Sequence, residues 1–320
     1  PCRIINTIAL TQKRDQMKFN RIVAIDNTGL VEEAINKLNQ YSETEVVVWN
    51  ENPQTDDEIV MRTADAECIL VSWNTDITAN VIERCPRLRL IGLCCSLYDN
   101  DSSNVDVEFA RSQGIDVIGV HDYGDEGLVK FVLCETIRLC KGIGLHQWRS
   151  EPVELTKKIL GIIGLGTTGR MLANRAQAFG MKVIYFSRSR KPDAEQNGIE
   201  YRKLNQLLRD AEIVSMHLPR NSNILGSAEF SQLGTGKILI NTSMGLVFDK
   251  LSFVEWVKSP GNFAIFDGDG ISSNYDEFTK LKRVIATRKV SGWTQEARQR
   301  LSGKVVENVA QFLNGNTSPL

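Results

Sequence analysis

Residues 160–190 read LGIIGLGTTGRMLANRAQAFGMKVIYFSRSR, and this stretch decides the fold. The apolar run at 159–163 leads into Gly164, Gly166 and Gly169, spaced G-x-G-x-x-G, and Leu172, Ala173, Ala176 and Phe179 follow at helical spacing. A strand, a tight turn and a helix in that order suit the pyrophosphate of a dinucleotide. The first glycine permits the turn, the second lets the backbone approach the phosphates, and the third lets the helix pack on the strand. The helix N-terminus, where Thr167 and Thr168 stand, then faces the anion. Gly180 reads as the end of that helix and 181–186 as the next strand. Where an acidic residue commonly holds the ribose hydroxyls, the chain has Ser187, followed by Arg188, Ser189 and Arg190. With no carboxylate to repel a phosphate and guanidinium groups able to bind one bidentately, the expected cofactor is NADP(H), with NAD(H) as the alternative. Two plainer readings stay open: glycines that serve packing alone, and a solvated strand end at 187–190.

The 320 residues are enough for about two domains, each with its own core. Thirty-eight basic against thirty-nine acidic residues leave a formal charge of −1, so no overall field favours nucleic acid or a membrane surface. Seven cysteines include no C-x-x-C pair, and most lie in apolar runs, which suits a reducing cytoplasm. No apolar run approaches the ~20 residues that span a bilayer, so a cytoplasmic protein is expected.

Apolar runs at 21–25, 45–49, 67–71, 88–93 and 116–120 alternate with polar periodic segments, and a second series begins at 159, 183, 213, 238, 263 and 284. Such alternation predicts parallel sheets covered by helices, α/β in class. The segment 127–143 reads as a long buried helix and 294–313 as a closing one.

Several motifs together resemble the D-2-hydroxyacid dehydrogenase family: GIIGLGTTGR with AQAFGMKVIYF, AEIVSMHLPRNSNILG, KILINTSMGLVFD, and more weakly YDN at 98–100 and VDVEFARSQGIDVIGV. The resemblance covers nearly the whole chain. It implies a Rossmann-type doubly wound cofactor domain at 122–293, inserted in a flavodoxin-like substrate domain at 1–121 plus 294–320. It also implies a homodimer formed largely through the cofactor domain, and hydride transfer between a nicotinamide and C2 of a small 2-keto or 2-hydroxy acid. Within the cofactor domain it adds His217, Pro219, Thr242, Ser243 and Asp267 to the cofactor-binding residues. No metal site is implied.

The family's chemistry uses an arginine on the substrate carboxylate, a histidine on the hydroxyl proton and a glutamate that orients the imidazole. Here Met244 stands in the arginine's place, Lys289 in the histidine's and Ser272 in the glutamate's. The substrate turn is bulkier, with Cys94, Cys95, Ser96 and Leu97 followed by an apparent insertion at 101–104, and Lys130 and Phe131 replace small and acidic residues. Lys289 is a stand-in proton donor if desolvated beside Arg288, and Arg288 a stand-in carboxylate ligand, with Asp267 and Asp269 as candidates to support such a site; the alternative is a solvated surface pair. Three functions follow as alternatives: an NAD(P)-dependent oxidoreductase with relocated catalytic groups, a catalytically inactive dinucleotide-binding sensor or regulator, or a structural or oligomeric binding protein with an empty cofactor cleft.

Overall fold

A computed structural model of the chain describes residues 17–97, 100, 103–220 and 222–316. Cys2, Tyr98 and Asp99 of the YDN stretch, Asp101 and Ser102 of the insertion, and Asn221 of the HLPRN motif lie outside the described residues. The chain divides into two compact units, Pro1–His121 with Gln299–Leu320, and Asp122–Arg298.

In the first unit, β1 (Ile22–Ala24), β2 (Val47–Val48), β3 (Cys68–Val71), β4 (Leu90–Leu93) and β5 (Asp116–Ile118) form one parallel sheet in the order β2-β1-β3-β4-β5. Strands β1, β3 and β4 are buried at every residue, as short apolar runs covered on both faces must be. Asp26, fully buried just past β1, accepts hydrogen bonds from Ser72 N at 2.9 Å, Ser72 Oγ at 2.7 Å and Thr75 Oγ1 at 2.7 Å, and so ties the exits of β1 and β3 together. Leu301, Val305 and Val309 of the closing helix Gln295–Leu313 are buried, and Phe312 stacks on Phe19 with ring centroids 5.4 Å apart.

The second unit is a seven-stranded parallel sheet in the order β12-β11-β10-β9-β6-β7-β8. Its strands are β6 (Ile159–Ile163), β7 (Lys182–Phe186), β8 (Glu200–Tyr201), β9 (Ile213–Met216), β10 (Ile238–Asn241), β11 (Phe263–Phe266) and β12 (Val284–Ala286). Six of these follow from the apolar runs. The seventh, β8, is a two-residue edge strand with Glu200 exposed, and it carries no such signal. Strand order reverses beside β6, which pairs with β9 on one side and β7 on the other. At such a reversal the crossover connections leave on opposite faces and open a crevice at the carboxyl ends of the strands.

The helix Asp125–Lys141 buries Val129, Val132, Leu133, Thr136, Leu139 and Cys140, an i, i+3, i+4 stripe rather than an all-round apolar surface. Its apolar stripe joins Leu172, Ala173 and Ala176 of the helix Thr167–Ala178 in one core. Gly142, at φ +67°, ends it in the left-handed conformation that a Cβ disfavours. Among the described residues no helix is long and apolar enough to cross a membrane.

Candidate functional site

The crevice beside β6 is built around backbone positions that only glycine can occupy. Gly164 has φ +96°, and a Cβ there would lie 2.0 Å from the carbonyl oxygen of His217. A Cβ on Gly169 would lie 2.3 Å from Gly164 O. These two glycines therefore close the strand and helix against each other, and both would be required even with no ligand. Gly166 is different. It takes φ −83°, which any residue tolerates, and a Cβ there would meet nothing within 4 Å. Open space lies in front of it, at the N-cap of a helix that no side chain caps. The first N–H groups of Thr167–Ala178 are thus left for an outside acceptor, and an anion such as a pyrophosphate suits them in charge. Thr168 is turned from it, its hydroxyl donating to the Asp125 carboxylate, while Thr167 is exposed in the first turn.

At the exit of β7 the four polar residues divide their work. Ser187 Oγ accepts from the backbone N–H of Leu165 at 2.8 Å, so it braces the glycine turn. Arg190 pairs with the Glu195 carboxylate and lies over the Tyr201 ring, 5.3 Å from its centroid. Tyr185 Oη donates to the same carboxylate at 2.8 Å. Arg188 and Ser189 are exposed, and Arg188 makes no ion pair among the described residues. Of the two guanidinium groups, Glu195 neutralises one and leaves the other available to a ligand.

The exits of β9, β10, β11 and β12 lie on the other side of the reversal. His217 follows β9. Its ring nitrogen is 3.0 Å from Ser215 Oγ, and burial holds the imidazole down at about 4, so it is neutral at pH 7. Pro219 is exposed. Ser243 Oγ accepts from Leu218 N at 3.1 Å and donates to Met216 O at 3.2 Å, which locks the β9 exit to the β10 exit. Thr242 is buried, with no hydrogen-bond partner for its hydroxyl among the described residues. Met244 is half-buried in a turn that Asn241 closes, its Nδ2 donating to the carbonyls of Gly245 and Gly270, both at 3.0 Å. Asp267, 1% exposed, accepts from Gly270 N at 2.8 Å, Ser291 N at 2.9 Å and Ser291 Oγ at 2.6 Å. Its oxygens thereby hold the β11 exit to the loop that follows β12.

Ser272 opens a 3-10 turn at φ +50° and is exposed. Arg288 is bound to the Asp276 carboxylate at 2.5 Å and lies 4.0 Å over the Tyr275 ring centroid. Lys289 is exposed, its carbonyl accepting from Gly268 N at 2.8 Å, and it lacks the burial that makes a lysine a proton donor. Two further side chains belong to this group: Arg220, in the loop after β9, which carries no sequence signal, and Asp269, just past β11, which the sequence marks only as a support for the Lys289 site. In the first unit, Cys94, Cys95 and Leu97 of the substrate turn are buried at 1%, 5% and 1%, and the turn packs inward through its bulk. Among the described residues no cluster of His, Cys, Asp and Glu could hold a metal ion.

Residues 137–288 match the family model described as the NAD binding domain of the D-isomer specific 2-hydroxyacid dehydrogenases. The chain is 28% identical over 314 residues to a glyoxylate reductase of Aeropyrum pernix, covering 90% of this chain and 91% of that protein. It is 27% identical over 296 residues to a hydroxypyruvate reductase of Blautia hydrogenotrophica, covering 85% and 90%. The fold is similar to that of apo D-lactate dehydrogenase from Escherichia coli, with TM-score 0.76 at 20% identity over 93% of this chain and 98% of that one. With two parallel α/β sheets, a dinucleotide turn on the second and relatives aligned along most of its length, the chain is similar to the D-2-hydroxyacid dehydrogenase family, whose NAD binding domain model matches residues 137–288.

Proposed function

We propose that the protein binds NADP(H) in preference to NAD(H) in the second unit, and that it interconverts a small 2-keto acid and the corresponding 2-hydroxy acid. In this reading the usual arginine, glutamate and histidine are replaced by Met244, Ser272 and Lys289. The observation that carries the reading is the uncapped helix end beside Gly166, with open space suited to a pyrophosphate. The glyoxylate and hydroxypyruvate reductases among the relatives support a small 2-keto acid as substrate.

The dinucleotide, when bound, supplies or accepts the hydride. The chain's residues do the rest. The N–H groups of the first turn of Thr167–Ala178 would hold the pyrophosphate, and exposed Arg188, with Ser189 next to it in sequence, would bind the adenosine 2′-phosphate. Neutral His217, Ser243 and Thr242 at the β9 and β10 exits would help hold the rest of the dinucleotide, and Asp267 fixes the loops beside them. Lys289 puts an exposed positive charge at the β12 exit, suited to drawing in an anionic substrate, while Arg288 is already taken up by Asp276. Without an arginine at position 244 the substrate carbonyl is polarised less, so turnover is slow by the family's standard.

The first unit, 1–121 with the closing helix, serves in this reading as the substrate domain. A homodimer formed through the second unit is supported by Ile143 and Leu145, which stand 59% and 96% exposed after the helix Asp125–Lys141. A reducing, cytoplasmic setting is supported by the six described cysteines, all free thiols.

A second reading, a dinucleotide-binding regulator without turnover, is favoured by the joint change at Met244, Ser272 and Lys289. Titration with NADPH and NADH, followed by cofactor oxidation across glyoxylate, hydroxypyruvate and pyruvate, separates the two. We expect tighter NADPH binding and slow oxidation with at least one acid. Binding without oxidation favours the regulator, and no binding of either dinucleotide defeats both.

A further inference from the structure

The turn 268–270 reads Gly-Asp-Gly, and its two glycines are pressed between the exits of neighbouring strands. A Cβ on Gly270 would lie 2.0 Å from Asn241 O, and one on Gly268 2.5 Å from Arg288 O. Asp269 is thus the only side chain this turn presents. Its backbone carbonyl accepts from Gly245 N at 3.0 Å, so the turn is fastened to the one that carries Met244. Strands β9, β10 and β11 are adjacent and parallel, and Arg220, Met244 and Asp269 all follow their exits at the carboxyl end of the sheet. Arg220 and Asp269 are each partly buried, and neither side chain has a hydrogen bond or ion pair among the described residues. A carboxyl and a guanidinium left unpartnered beside a methionine, where Asn241, Ser243 and Asp267 are tied into the loops, are placed to meet a ligand rather than to hold the fold.

Resting on the function proposed above, we infer that Asp269 exchanges the proton of the substrate hydroxyl and that Arg220 binds the substrate carboxylate. In the reducing direction, C2 of the keto acid receives a hydride from the reduced nicotinamide, and the carbonyl electron pair moves onto oxygen. That oxygen takes the proton of the Asp269 carboxyl. The products are the 2-hydroxy acid, the oxidised dinucleotide and the Asp269 carboxylate, which water reprotonates. The electrostatics suit this role, because burial first, and then the negative charge of Asp267, raise the Asp269 carboxyl to about 6, while Arg220 pulls it the other way. A proton donor and acceptor works best when it titrates near the working pH.

The test begins on the protein without cofactor. In a 13C carboxyl titration by NMR, one aspartate titrating near 6 is expected in the wild type, absent in Asp269→Asn and shifted upward in Arg220→Ala, which removes the cation that lowers it. With NADPH bound, Arg220→Ala is expected to weaken binding of oxamate, an unreactive 2-keto acid mimic, ~10-fold or more. Asp269→Asn is expected to slow single-turnover hydride transfer by ~10²–10⁴-fold with NADPH affinity unchanged. An unaltered rate in Asp269→Asn, or unaltered oxamate binding in Arg220→Ala, overturns this assignment alone. A wild type that binds NADPH but reduces none of the acids overturns the proposed reaction and the assignment together.

Discussion

The two halves of the second unit's crevice are built on different principles. On the β6–β7 side, positions are dictated by backbone sterics: Gly164 and Gly169 admit no side chain, and Ser187 braces the turn through Leu165 N. On the β9–β12 side, a scaffold of Asn241, Ser243 and Asp267 hydrogen bonds holds the loops, and the side chains that those loops present are not part of the scaffold. Methionine can stand at 244 and serine at 272 without disturbing the loop anchors. A fold of this kind can therefore keep a dinucleotide turn intact while the side chains beside it vary.

The comparison breaks first at its steric half. Gly164→Ala meets a backbone carbonyl at 2.0 Å in a positive-φ conformation, and is expected to cost ~3–5 kcal/mol in a urea unfolding titration. A loss under ~1 kcal/mol would mean that the turn is pliable and the two halves are not distinct. Acid stability probes the other half. His217 is neutral in the folded chain down to about 4, whereas its unfolded counterpart takes up a proton near 6.5. Its contribution is thus fully present above pH 6.5 and is lost as pH falls towards 4, by up to ~2–3 kcal/mol. Subtracting the urea unfolding curve of His217→Gln from that of the wild type at about pH 7 and about pH 4.5 should isolate this loss. An equal pH dependence in both proteins would show that the ring is solvated. Asp269 acts with the opposite sign, losing stability as pH rises through about 6, so Asp269→Asn should flatten that limb.

Smaller effects sharpen the cofactor assignment. Arg188→Ala should weaken NADPH binding about tenfold, or ~1.4 kcal/mol, and leave NADH unchanged in calorimetric titrations. Arg190→Ala should do less, because Glu195 already neutralises that guanidinium. If Arg190→Ala has the larger effect, Glu195 must release it on binding. Lys289→Ala, at an exposed position, should shift stability by no more than ~0.5 kcal/mol by thermal unfolding.

Much of the fold is legible in the amino-acid order alone. Short apolar runs bounded by turn residues mark buried parallel strands, and those runs contain eleven of the twelve described strands; β8 escapes because two residues with one exposed face leave no periodicity. The glycine turn is legible because a backbone that excludes Cβ atoms leaves only one residue type to choose. The mostly apolar segment 127–143, broken by Lys130, Glu135 and Arg138, reads as a buried helix, and in the folded chain its polar face pairs Lys130 with Glu126 and leaves a single stripe inside. Arg220 is hidden, and Asp269 is legible only as a support for the Lys289 site, for another reason. A charged residue in a loop after a strand looks like ordinary solvated sequence, and only the packing of Gly268 and Gly270 shows that Asp269 is enclosed. Likewise, nothing in Ser187 announces that its hydroxyl serves Leu165 rather than a ligand.

Gly166 separates ligand binding from packing, since a side chain there would enter open space at an allowed backbone conformation. The most direct measurement is an NADPH titration of wild type and Gly166→Val, with thermal unfolding of both. A dinucleotide cleft at this turn predicts saturable binding by the wild type, weakened at least ~100-fold in the variant at an unchanged unfolding midpoint. Equal NADPH binding by the two proteins, or none by the wild type, would contradict it.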